Sequence, residues 1–106
     1  MSRIGSPRIS PIEFEGLRYA QIQNGENEGL DQRTGYLSVT DIVTGQRIAS
    51  IKAYFVPFDP DEEADVQDVF FTRMLLDEPN RRLLIENERR QRLHVALDGH
   101  AVKPAA

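Results

Sequence analysis

Five arginines, Arg81, Arg82, Arg89, Arg90 and Arg92, fall close together against only Glu86 and Glu88 in the same stretch. A guanidinium presents its donors in a planar fork that matches carboxylate and phosphate oxygens. Brought together, these side chains would bind a phosphate, an acidic peptide or a nucleic acid. Left apart, they would block sheet edges or pair with acids elsewhere in the chain. The acids are at hand, because Asp59 to Asp68 contains six carboxylates and no base. Asp59, Asp61, Glu63 and Asp65 alternate as calcium ligands can, but the glycine and the terminal bidentate glutamate of such a loop are missing. Asp59 before Pro60 instead reads as a helix N-cap, so no metal is expected there.

His94 and His100 flank an Asp98-Gly99 turn with no third zinc ligand near in sequence and no nucleophile to serve. They read as surface or rim histidines. Asp41, Asp68, Glu86 and His94 carry acid–base chemistry, yet nothing in their spacing requires them to converge. No catalytic residue and no cofactor is therefore expected. Phe55, Phe58, Phe70 and Phe71 flank the acidic stretch, and core packing is their ordinary fate. Exposure of Phe55, Phe58 or Phe70 would mark a partner-binding patch or a homodimer surface.

The elements that must position these groups are mostly strands. Leu37 and Val39 alternate with Ser38 and Thr40, the period of a half-buried strand. Gly45 suits the left-handed position of a three-residue hairpin loop. That loop sets Asp41 opposite Arg47, Val39 opposite Ala49, Leu37 opposite Ile51 and Tyr36 opposite Lys52. One face then holds Leu37, Val39, Ala49, Ile51 and Phe55, and the other Tyr36, Ser38, Thr40, Ser50 and Lys52. Before this hairpin, Ile12 to Ile22 reads as a shorter one turning at Glu15-Gly16, followed by a surface loop over Asn24–Thr34. After it, a short helix is expected near 60–67. The apolar run Val69–Leu76 follows as an interior strand, and Leu83 and Ile85 pair with Leu93, Val95 and Leu97 in a last hairpin. His100 to Val102 adds an edge strand.

These elements describe a mainly β fold: an antiparallel meander of about six or seven strands, as a twisted sheet or small barrel, with one short helix. Residues 1–10 read as a flexible tail, 11–102 as one β domain and 103–106 as a frayed end. The chain has 106 residues, 40% of them hydrophobic and 28% charged, which suits a soluble domain. A formal net charge of −4 argues against a dedicated nucleic-acid binder. There is no cysteine, no apolar run of membrane-spanning length and no apolar leader at the start, so the expected compartment is the cytoplasm.

The stretch Leu37-x-Val39-x-Asp41-x-x-Thr44-Gly45-x-x-Ile48 resembles the strand–turn–strand signature of quinoprotein-type β-propeller blades. The tryptophan usual in the second strand of such a blade is replaced by Ala49, and the resemblance implies hairpin geometry without a cofactor. More broadly, the hairpin together with Asp65–Thr72 and Leu84–Arg89 is similar to small uncharacterised bacterial β-proteins, which implies a bacterial origin and no particular activity. The expected function is a non-catalytic interaction or assembly module, whose partner is an unknown protein or a second copy. The alternative is an anion- or phosphate-binding domain using Arg81, Arg82, Arg89, Arg90 and Arg92.

Overall fold

The computed structural model describes residues 9–57, 61 and 67–105. Among these residues eight strands form two four-stranded antiparallel sheets. The first contains β1 (Ile12–Phe14), β2 (Leu17–Gln21), β3 (Tyr36–Asp41) and β4 (Arg47–Lys52), in that spatial order. The second contains β5 (Phe71–Asp77), β6 (Arg82–Asn87), β7 (Arg92–Ala96) and β8 (Val102–Pro104), also in sequence order. The expected single meander is thus two shorter ones, with no closed barrel among the described residues.

The break lies between Lys52, the end of β4, and Phe71, the start of β5. β5 begins beside the end of β2, where the Phe71 N–H donates to Gln21 Oε1 at 2.6 Å. It is an edge strand, not the interior strand expected of Val69–Leu76, and the buried Val69 and Phe70 precede it. The short helix expected near 60–67 falls almost wholly outside the described residues.

Each sheet has one apolar face, and the two faces merge in a single core. Tyr19, Leu37, Val39 and Ile51 enter from the first sheet, and Phe71, Met74, Leu83, Ile85, Leu93 and Val95 from the second. Burying a large apolar side chain of this kind is worth about 1.5–3 kcal/mol, and neither sheet alone could supply the cover. Leu83, Ile85 and Asn87 are buried on one face of β6 while Arg82, Leu84 and Glu86 alternate on the other.

The β3–β4 register follows the expected pairing for Tyr36–Lys52, Leu37–Ile51 and Val39–Ala49, then departs from it. Arg47 lies opposite Thr40 rather than Asp41, and the extra residue, Ile48, is accommodated as a bulge. The expected Asp41–Arg47 ion pair does not form because both groups have nearer partners. Asp41 Oδ1 accepts from the Val43 and Thr44 N–H groups at 2.8 and 3.1 Å, and Arg47 donates to Glu28 at 2.6 Å. Phe55 does not join the core face either: it lies beyond β4 and is 70% exposed. At the other end of the chain β8 runs on to Pro104, and the Ala105 N–H reaches Arg92 O, so pairing extends past the expected point of fraying.

The loop between β2 and β3 differs most from expectation. Its first part is a 3-10 turn over Gly25–Glu28, with Asn24 as N-cap. Its last part is buried, and Gln32 makes three hydrogen bonds there. Gln32 Nε2 donates to Thr34 O at 2.7 Å and to Tyr54 O at 2.8 Å, while Oε1 accepts from the Val56 N–H at 3.3 Å. Thr34 Oγ1 accepts from the Val69 N–H, and Arg33 forms a two-point ion pair with the nearly buried Asp68 at 3.0 and 3.1 Å. Asp31 and Glu28 reach the outer face of the first sheet through Lys52, the Tyr36 hydroxyl and Arg47. Tyr36 and Ser38, expected on a solvent-tolerant face, are buried as a result.

Gly35 makes this closure possible. Its φ is +94°, and a Cβ there would stand 2.6 Å from Gln32 Nε2 and 2.7 Å from Tyr54 O. Gly45 is also left-handed, at +74°, but faces open space. Gly35→Ala is expected to lower stability by more than about 2 kcal/mol and Gly45→Ala by about 1 kcal/mol, since the second carries only the backbone penalty. Urea midpoints of the two variants measure the difference, and equal midpoints would show that the Gln32 contact does not restrict this position.

Candidate functional site

The five arginines do not converge. Arg81 sits in the β5–β6 turn with a φ of +49°, and its guanidinium is taken up by Glu15 at 2.8 Å and Asp98 at 2.8 Å. That cluster ties the β1–β2 turn to two turns of the second sheet. Arg89 and Arg90 occupy the β6–β7 turn at the opposite end of β6, more than about 20 Å away along the strand. The buried Asn87 shapes this turn: its Oδ1 accepts from the Arg89 and Gln91 N–H groups at 2.9 and 3.1 Å.

Arg82 and Arg92 stand on the outer face of the second sheet, and the register shows their surroundings. Arg73 on β5, Glu86 on β6 and Arg92 on β7 form one cross-strand row. Leu75, Leu84, His94 and Lys103 form the next, and Asp77, Arg82 and Ala96 the third. A concavity of about 400 Å³ lies over these rows, with Ala105 at its rim. Its middle holds Leu84, His94 and Leu75, the last 44% exposed; at one end Arg73 and Arg92 outnumber Glu86, and at the other Arg82 pairs with Asp77.

The cations at those ends are incompletely neutralised. Arg92 donates from Nε to Glu86 at 2.8 Å, and Arg82 from Nε to Asp77 at 2.9 Å. Arg82 Nη1 lies 3.5 Å from His94 Nε2. Arg73 has no ion pair among the described residues. Arg73, Leu75 and Leu84 were not singled out by sequence reasoning. The signal available was the alternation Arg73, Leu75, Asp77 at the end of Val69–Leu76 and just past it, hidden because that segment is apolar on both faces.

The other candidate residues are dispersed. Asp41 caps its own turn and Asp68 is held by Arg33, while Glu86 and His94 share the outer face in adjacent rows. Phe70 is 6% exposed, and Phe58 lies outside the described residues, as do Asp59, Glu63 and Asp65. The exposed Phe55 borders a second hollow of about 210 Å³ with Pro57, Glu26, Asp31 and Asp68, and its ring centroid is 6.0 Å from Lys52 Nζ. His100 is half-buried in its turn, also with a positive φ of +59°. Among the described residues no three metal-ligating side chains come together, and no helix is long and apolar enough to cross a membrane.

Comparison with protein-family models, with curated proteins and with solved structures returns no match. The reading of this chain therefore rests on its own residues.

Ion pairing and burial also set how the fold responds to pH. Hydrogen bonds from Arg81 hold Glu15 and Asp98 below the usual carboxylate range, Lys52 and then Tyr36 do so for Asp31, and Asn80 and then Arg82 for Asp77. A depressed carboxyl contributes stability above its unfolded value and loses it as pH falls through the folded value. Burial is the leading cause that pushes the hydroxyls of Tyr19, Tyr36 and Tyr54 up, Tyr54 the furthest. A raised tyrosine contributes fully below its unfolded value and loses that contribution as pH rises through the folded one. Urea midpoints are thus expected to be flat between about pH 5 and 9 and to fall on both sides. Tyr54→Phe should shallow the alkaline decline, and an alkaline limb identical to wild type would show that Tyr54 does not cause it.

Proposed function

We propose that the chain is a non-catalytic interaction module whose recognition surface is the outer face of β5–β8, and that its partner is anionic. The observation that carries this reading is an asymmetry between the two sheets. Around Tyr36, Lys52 and Arg47 the outer face of the first sheet is covered by the chain's own Asn24–Thr34 loop, which satisfies those three groups. The outer face of the second has Leu75 exposed and three arginines around it, on a chain whose net charge is −4. A cationic patch attracts a partner of opposite sign, while two copies of the patch repel each other.

Association through strand edges has less in its favour. β1 and β8 are three residues long, while β4 and β5 are each interrupted by a bulge, at Ile48 and Thr72. Short and bulged edges are the usual ways of preventing sheet extension. A second reading, a site for a small anion or phosphate ligand, is favoured by Arg73, whose guanidinium has no carboxylate partner among the described residues.

Titration of the isotopically labelled protein with a short polyglutamate peptide at low salt tests the surface. Chemical-shift changes are expected on β5–β8 outward residues, with Arg73→Glu weakening binding about tenfold or about 1.4 kcal/mol, and added salt abolishing it. Shifts confined to Arg89 and Arg90, or none, would overturn the assignment. Inorganic phosphate producing the same shifts at similar concentration would favour the small-anion reading.

A further inference from the structure

The spacing of the rows on this face restricts what an anionic partner can be. We infer that the outer face of β5–β8 takes an extended acidic segment in which a carboxylate, an aliphatic side chain and a second carboxylate occupy alternate residues. This inference rests on the interaction-module reading above.

Three features of the geometry lead to it. Arg73 and Arg92 lie in one row and Arg82 two rows further on, the rows being defined by the pairing of β5, β6 and β7. Side chains on one face of a strand recur every second residue, about 6.6 Å, so the row of Arg73 and Arg92 and the row of Arg82 stand about 13 Å apart with Leu75 and Leu84 midway. An extended chain laid along β6 advances by the same step and matches that order with residues i, i+2 and i+4. A phosphate ion spans only one row and leaves the aliphatic row unused.

The charged rows remain competent to bind. Glu86 engages Arg92 through Nε, and Asp77 engages Arg82 through Nε. Their terminal guanidinium nitrogens keep donors for an incoming carboxylate, since the group carries five N–H bonds. Arg73, with no carboxylate partner among the described residues, adds its full fork at the same end as Arg92.

Width selects an extended segment over a helix. Arg73 and Arg92 are two strand spacings apart, about 10 Å between backbones. A helix with its side chains is 10–12 Å across, wider than the gap between arginines that must close on the ligand. The concavity of about 400 Å³ suits a few residues of extended chain. The open edge of β5 does not serve as a pairing template, because the bulge at Thr72 interrupts its ladder. Contact is therefore made through side chains on the face.

Three fluorescent peptides of about ten residues, in a serine and threonine background that favours extended backbone, provide the test at low salt by anisotropy. The first carries Asp, Leu and Asp at alternate positions, the second the same residues with the two Asp adjacent, and the third Ser in place of Leu. The first is expected to bind at least about tenfold more tightly than the others. Leu75→Ser, a change at an already exposed position, should erase that advantage while leaving the circular dichroism spectrum unchanged, and Arg73→Gln should weaken the first peptide most. Equal binding of all three peptides, all displaced by Arg73→Gln, would overturn the spacing rule and leave the anionic surface standing. Inorganic phosphate displacing the first peptide at a concentration near that peptide's own Kd would replace the segment with a small anion. Binding of none of the peptides and no response to phosphate would sink the underlying reading as well.

Discussion

The carboxamide of Gln32 joins three parts of the chain that the strand ladders leave separate. It holds the end of the β2–β3 loop, the backbone of Tyr54 and the backbone of Val56 in one buried cluster. Each of those contacts satisfies a backbone group at or near the core, where leaving one unpaired costs about 1–3 kcal/mol. With Thr34 and Arg33 fastening Val69 and Asp68 from the same loop, the chain that leaves β4 is fixed at both of its described ends. The second sheet is delivered onto the first at that point, and the core between the sheets follows from it.

The same loop explains why the two sheets present different outer surfaces. Spending the loop on the first sheet buries Tyr36 and Ser38 and saturates the nearby charges. The second sheet has no comparable loop among the described residues, since its turns, at Glu78–Arg81, Glu88–Gln91 and Leu97–Ala101, are short. Its outward residues consequently face solvent, and the cross-strand rows there are what the chain has to offer a partner.

Strand positions were largely legible in the sequence, because alternation and turn residues act locally. Glu15-Gly16, Gly45 and Asp98-Gly99 all mark real reversals, and the Leu83, Ile85, Leu93, Val95 and Leu97 face is buried as its periodicity implies. The division into two sheets was not legible, because it depends on a glutamine whose partners are 22 and 24 residues away. Asp41 illustrates a smaller failure: the register drawn from a three-residue loop slips by one residue at that end, where Ile48 bulges and Asp41 accepts from two N–H groups of its own turn. The arginines misled for a related reason. Their proximity in sequence spans a hairpin and both of its ends, so only Arg82 and Arg92 share a surface. The residue that joins them there, Arg73, lies on the preceding strand.

Among the described residues every strand ladder joins neighbours in sequence: β1 to β2, β2 to β3, β3 to β4, and again from β5 to β8. Ladders of this kind close loops of modest length, and loop closure is the entropic step that slows β proteins. The two halves can each acquire their pairing without waiting for the other. What must come late is the docking of one apolar face on the other, with Gln21 receiving the Phe71 N–H and Arg81 reaching Glu15 across 66 residues of chain. The fold is thus divided in time as it is in space, into rapid local zippering and a slower joining step, and the exposed inner faces are the protein's moment of greatest vulnerability to aggregation.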